Sequence, residues 1–208
     1  MADIFGVLTN PNAFFSEKMQ ESIDLKIPSL IVFIVALISG VSGYIMTNAV
    51  FINIPEAASF ASVAAIGGAI GAFVTVFIMW LIYTAIFHGI SALLGGKGSF
   101  KRSLEVVGYG YIPTIFSSIV GIVGMQSLIG NLQNINIEDS AAYAEIVAAD
   151  PVLQAVSVVG MIFMLWSANI WIFGIKHARS LSTKNAVITV GAPVALYLIY
   201  SVLQVGVI

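Results

Sequence analysis

Residues 57–96 read AASFASVAAIGGAIGAFVTVFIMWLIYTAIFHGISALLGG, forty positions without Asp, Glu, Lys or Arg. A bilayer's hydrocarbon core takes roughly 20 helical residues, range about 17–25. The stretch therefore holds either one long span or a tight two-helix hairpin, and that choice fixes the side on which everything downstream lies. Four more stretches lack charge: Ile27–Pro55, Val106–Ile137, Pro151–Ile175 and Asn185–Ile208. Helices are the natural spanning form, because in lipid every backbone group must be paired within the segment. With one span in each stretch, the helices fall near Ser29–Val50, Ser62–Ala85, Val106–Gly130, Val152–Ile175 and Ala186–Val207. The N-terminal arm, Gly95–Leu104 and Lys176–Lys184 then share one side. They carry Lys18, Lys26, Lys97, Lys101, Arg102, Lys176, Arg179 and Lys184, which is every basic residue in the chain. The other side carries Glu56, Glu138, Asp139, Glu145 and Asp150. A sixth span within 57–96 would scramble this separation. The positive-inside rule gives a cytoplasmic N-terminus and a C-terminus across the membrane.

Composition agrees. The 208 residues are 59% apolar and 9% charged, against about 45–50% and about 25% in soluble domains, and mean hydropathy is +1.03. Eighteen charged side chains cannot cover a water-soluble fold of this size, so a soluble enzyme is excluded. A net charge of −2 leaves no basic excess for nucleic acid. The expected class is an all-α membrane protein with an arm over residues 1–27 and a five-helix domain over 28–208. Met-Ala-Asp at the start offers no basic n-region, so no cleaved signal peptide is expected.

In the arm, Asn10-Pro11 has the form of a helix cap and first turn. Phe15, Met19 and Ile23 follow at intervals of four, beside Phe14, which predicts a short amphipathic helix lying at the interface or packed on the bundle. On the other side, Glu138–Glu145 reads as a short external helix and Asp150-Pro151 as a new helix start. The carboxylates there lack the ligand spacing of a calcium loop.

Inside lipid, small residues mark helix seams. Ala64, Gly68, Gly71 and Thr75 form one stripe, joined by Gly67. Gly110, Thr114, Ser117, Gly121 and Gly124 form another, and the second and third spans are expected to pack together along them. Pro113 and Pro193 predict kinks. Trp171 fits an interfacial belt, and Trp166 a packed position.

Catalytic and transport chemistry finds little to work with. No Asp, Glu, Lys or Arg lies within a proposed span, which disfavours ion-coupled transport; the polar residues there are Asn48, His88, Gln126 and Asn169, and Asn169 is placed to hydrogen-bond a neighbouring helix. Gly95-Gly96-Lys97-Gly98-Ser99 resembles a phosphate loop but has Gly98 where Ser or Thr must follow the lysine. His88 and Ser91 share a helical turn without a third group to orient them. Two histidines and no cysteine make a transition-metal site unexpected. No catalytic group, cofactor or metal is expected.

Residues 95–113, GGKGSFKRSLEVVGYGYIP, carry a resemblance. Gly108, Tyr109 and Pro113 match the Gly-Tyr-x-x-x-Pro motif of the Yip family, the Ypt/Rab-interacting membrane proteins, and Gly-Ser-Phe-Lys-Arg-x-Leu before it resembles the loop of prokaryotic-looking members. Asp24, Leu25 and Pro28 match part of a second motif, Asp-Leu-x-Gly-Pro, with Ile27 in place of its glycine. The resemblance implies five spans, a cytosolic N-terminus and a non-enzymatic organiser of membrane lipid or partner proteins. Its eukaryotic relatives bind prenylated Rab GTPases, associate with one another and act in vesicle trafficking. The short arm suits a prokaryotic member of the plasma membrane rather than a eukaryotic one of the ER or Golgi. Partners implied are the bilayer, further copies or other membrane proteins, and a small GTPase only where the source organism has one. The motif residues are then candidate partner or lipid contacts. Lys97, Lys101 and Arg102 form a basic loop able to meet lipid phosphates, and Glu105 is spaced to pair with Lys101. The alternative function is passive transport, as a channel or lipid-translocating protein.

Overall fold

The computed structural model describes residues 5–132 and 148–205. Their helices are α1 (Gly6–Thr9), α2 (Pro11–Lys18), α3 (Lys26–Ile52), α4 (Ala61–Leu93), α5 (Phe100–Tyr109), α6 (Ile112–Leu132), α7 (Pro151–Ala178) and α8 (Thr183–Val205), with a 3₁₀ turn at Ala58–Phe60. No strand occurs among the described residues. Five helices, α3, α4, α6, α7 and α8, are long and apolar enough to cross a membrane. The acidic run Glu138–Glu145 lies outside the described residues.

Local chemistry sets the boundaries. Asn10 caps α2 by accepting the Ala13 N–H at 3.2 Å, with Pro11 in the first turn. Asp150 caps α7, accepting from Val152 and Leu153 at 2.7 and 3.1 Å, and Pro151 follows. Each cap satisfies donors that a helix start leaves orphaned. Ser99 does the same for α5.

The third span departs from expectation. It is not one helix kinked at Pro113 but two helices with a break. The Gly110 N–H donates to Val107 O at 3.1 Å and the Tyr111 N–H to Gly108 O at 3.2 Å, a tightened last turn that ends α5. Pro113 is the second residue of α6, where its missing donor costs nothing. Helix α5 is thus a short amphipathic piece at the basic end, with Ser103, Glu105, Val106, Val107, Gly108 and Tyr109 buried.

The seams also differ. Helix α4 packs mainly along α3 and meets the third stretch through α5, while α6 packs along α7 and α3, so α4 and α6 do not form the expected seam. Gly43 and Gly68 meet across α3 and α4: a Cβ on Gly43 would reach the Gly68 carbonyl at 2.7 Å. Gly67, Gly71 and Gly121 face open space, while Gly124 sits under Val156 of α7. Pro193 lies inside α8. The arm packs on the bundle, with Pro11, Phe14, Phe15 and Lys18 buried at intervals of three and four. Helix α2 ends before Met19, so the stripe is shifted by one turn from the expected Phe15–Ile23 series. Removing Phe15 from water stabilises this docking by roughly 1.5–3 kcal/mol.

Asn169 is exposed, with no hydrogen-bond partner among the described residues rather than the expected helix–helix bond. Trp171 is buried within the protein rather than facing lipid. It is 2% exposed, its Nε1–H donates to Val107 O at 2.8 Å, and its ring meets Tyr83, Phe87 and Tyr111. Trp166 donates to Leu8 O at 3.3 Å and so helps hold α1.

Candidate functional site

The chain folds back at one end of the bundle so that all eight basic residues gather there, around a cap made by the arm, α5 and the loop after α4. Both halves of the sequence motif meet in this cap. A Cβ on Gly108 would stand 2.7 Å from Pro28 Cβ and 3.2 Å from Trp80, so only hydrogen fits there. The Asp24 N–H donates to Glu105 Oε1 at 3.1 Å, and Asp24 Oδ1 accepts from the Lys26 N–H, turning the chain into α3. Leu25, half-buried, stands immediately before that helix. Tyr109 is 2% exposed, edge-on to Phe14 and Phe15 at 5.3 and 6.0 Å. Burial above all, then the negative charges of Glu105, Asp24 and Glu21, pushes its phenol up to about 12. Pro113 is buried as well. Gly108 and Gly110 receive side chains of their own chain, Pro28 and Trp80 at the first and Trp171 at the second.

The expected Lys101–Glu105 pair is absent; Glu105 turns inward instead. It is 0% exposed, takes Arg102 Nη1 on Oε2 at 2.6 Å and lies 3.8 Å from Lys18 Nζ. Arg102 also donates to Glu21 O at 2.7 Å, and Lys18 pairs with Glu21 at 2.6 Å. The Lys18 contact holds the Glu21 carboxyl below its ordinary range. This buried pairing is a latch between arm and α5. A carboxylate without water survives only when ionic and hydrogen-bond partners surround it.

Arg179 is a second buried cation that sequence left unassigned. At 3% exposed it donates from Nε to Ser91 Oγ at 2.9 Å, from Nη2 to Gly96 O at 2.9 Å, and from Nη1 to Gly98 O. Burial lowers the pKa of its guanidinium, though arginine keeps its charge near neutrality. The Lys97 N–H returns a bond to Arg179 O at 2.8 Å. Gly95 and Gly98 have φ of +84° and +127°, a region glycine enters without strain. The glycine loop is therefore a clamp on the end of α7. Imidazole Nδ1 of His88 lies 3.0 Å from Ser103 Oγ, joining α4 to α5.

The basic loop thus divides by role. Arg102 is spent internally, while the exposed side chains of Lys97 and Lys101 have no partner among the described residues, and neither do those of Lys26 and Lys184. No group of three or more metal-ligating side chains occurs among the described residues.

Five apolar spans with this cap define a multi-pass integral membrane protein. Residues 5–204 match the family described as the Yip1 domain, and the chain belongs to that family. An uncharacterized protein of the archaeon Methanocaldococcus jannaschii is 33% identical over 126 residues, 59% of this chain and 87% of its own. No solved structure gives a significant match.

Proposed function

We propose that the protein is a non-enzymatic organiser of membrane lipid or partner proteins, working from its basic end on the cytoplasmic side. The observation that carries this is the set Lys26, Lys97, Lys101 and Lys184, whose side chains are exposed and unpaired among the described residues, around a cap in which Lys18, Arg102 and Glu105 are paired internally. A lysine near an anionic surface gains about 1 kcal/mol, so four together favour acidic headgroups or an acidic partner face. Membership of the Yip1-domain family supports the same role. A small GTPase is a partner only in a source organism that has one. In nanodiscs of mixed neutral and anionic lipid, the wild type retains anionic lipid and crosslinks to itself or a neighbour; replacing the four lysines by glutamine removes both. A monomer that enriches neither lipid nor partner would overturn the proposal.

A second reading is passive conduction. Ser39, Ser42, Ser118 and Gly121 line a hydroxyl-bearing groove of about 320 Å³ along α3 and α6. Solute flux or lipid scrambling in vesicles, abolished by Gly121→Leu in a folded protein, would favour it.

A further inference from the structure

Helix α7 packs against both α6 and α8, while α6 and α8 have no substantial contact with each other. Between them lies a groove of about 410 Å³, lined by Thr114, Ser117, Ser157, Tyr197, Tyr200 and Ser201. That volume falls within the roughly 300–1,000 Å³ of small-molecule sites. At 1.5 Å per helical residue, Ser157 is about 9 Å in from the start of α7. Ser117 is deeper, opposite Gly160, whose added Cβ would lie 3.8 Å from Ser117 Oγ. The groove thus runs from the acidic end of the bundle toward its middle and opens sideways.

Two observations select an occupant. Ser201 donates to Tyr197 O at 2.9 Å, but Thr114, Ser117 and Ser157 have no side-chain partner among the described residues. A hydroxyl left unpaired in hydrocarbon is costly, so an occupant that returns hydrogen bonds is favoured over bare acyl chains. Among the described residues no charged side chain lines the groove. Every lysine and arginine is at the opposite end, and the described charges at this end are Glu56 and Asp150. A phosphate headgroup would find no cation.

We infer that the groove binds an uncharged lipid of the diacylglycerol class, entering sideways from the leaflet on the acidic side. Its free hydroxyl and ester carbonyls meet Ser117, Ser157 and Tyr197. Its chains lie along exposed apolar neighbours such as Phe116, Ile162 and Ile199. The site is independent of the lysine face and stands whether or not that face recruits lipid.

The test uses the full chain in nanodiscs and two photoreactive probes with identical chains, a diacylglycerol and a phosphatidate. The diacylglycerol probe should label peptides containing Ser157–Met164 and Tyr197–Ser201, and excess unlabelled diacylglycerol should compete. Gly160→Leu, which fills the floor, should abolish labelling. The double variant Ser117→Ala, Ser157→Ala, which removes hydroxyls without adding bulk, should weaken retention about fivefold or more, the worth of one hydrogen bond. Equal labelling by the phosphatidate, labelling confined to other helices, or unchanged retention in the double variant would overturn the inference. Crosslinks to a second copy through Tyr197–Ser201, in place of lipid, would overturn it too.

Discussion

Replacing Gly110 with alanine tests the joint that makes α5 a separate helix. A methyl at Gly110 would overlap the Trp171 indole, coming within 2.7 Å of Cε2 and closer still to Nε1 and Cδ1. The indole cannot swing aside cheaply, because it is buried, bonded to Val107 O, and walled by Tyr83, Phe87 and Tyr111. Overpacking of this kind costs about 1–3 kcal/mol, and the lost N–H bond adds about 1 kcal/mol. Gly110→Ala should therefore destabilise by about 2–4 kcal/mol, read from unfolding in mixed micelles. Trp171 emission should shift to the red as the indole leaves its site. A double-mutant cycle isolates the cause: in a Trp171→Ala background, the same glycine change should cost less than about 0.5 kcal/mol. Gly71→Ala is the control, since nothing lies within 4 Å of its added Cβ; it should be neutral or stabilising by up to about 1 kcal/mol. Equal cost of Gly110→Ala with and without the indole would refute the steric reasoning.

Asp150 links α6 to α7 by accepting from Ser127 and Asn131 at 2.7 Å each while capping α7. The Ser127 bond foremost, with the Val152, Leu153 and Asn131 donors, holds its carboxyl below the ordinary range. A depressed folded pKa stabilises fully above the unfolded value, and that contribution fades as pH falls through the folded one. Protection factors at Val152 and Leu153, with exchange taken relative to the intrinsic rate at each pH, should fall only on acidification, and a flat profile down to pH 3 would contradict this. Arg179→Lys keeps charge but cannot bridge Ser91, Gly96 and Gly98 together. It should cost about 2 kcal/mol and expose the peptide bond after Lys97 to trypsin; wild-type resistance there would refute the clamp. The chain has no cysteine, so single replacements report sidedness cleanly. Lys97→Cys and Lys184→Cys should react with an impermeant maleimide from one side, and Glu56→Cys from the other. Labelling of the two lysine positions from opposite sides would break the topology.

Span number and the gathering of cations at one end were legible because each follows from where charge is absent. The same rule misplaced the third span. Glu105, the last charged residue before Val106, marks the boundary in sequence, yet it is buried beside Lys18 and Arg102, neither of which sequence shows to be its neighbour in space. Lys18 lies far upstream, and the Arg102 contact at three residues competes with the equally plausible Lys101 at four. Pro113 was visible as a disruption, but whether proline kinks a helix or begins one depends on Gly110 accepting the Trp171 ring, which comes from another span. Stripes of small residues marked seams without naming partners: Gly68 meets α3 and Gly124 meets α7, while Gly71 and Gly121 meet nothing. Asp24, Pro28 and Gly108 stand out by resemblance alone; the contact of Pro28 with Gly108 and the Asp24 bond to Glu105 give that spacing a structural reason. Arg179 left no signal, since two of its three acceptors are backbone carbonyls that any residue could offer and the third, Ser91, is 88 positions away.

The docked arm also constrains the order in which a nascent chain can mature. Asp24 bonds to Glu105 across 81 positions, Leu8 to Trp166 across 158, and Asn12 to Lys176 across 164. While a ribosome has made only the first two spans, none of the downstream partners Glu105, Trp166 and Lys176 exists, and the opening two dozen residues must wait undocked beside the translocation machinery. Seating of Phe14 and Phe15 therefore becomes available only near the end of synthesis, which makes the arm a built-in marker of a finished chain.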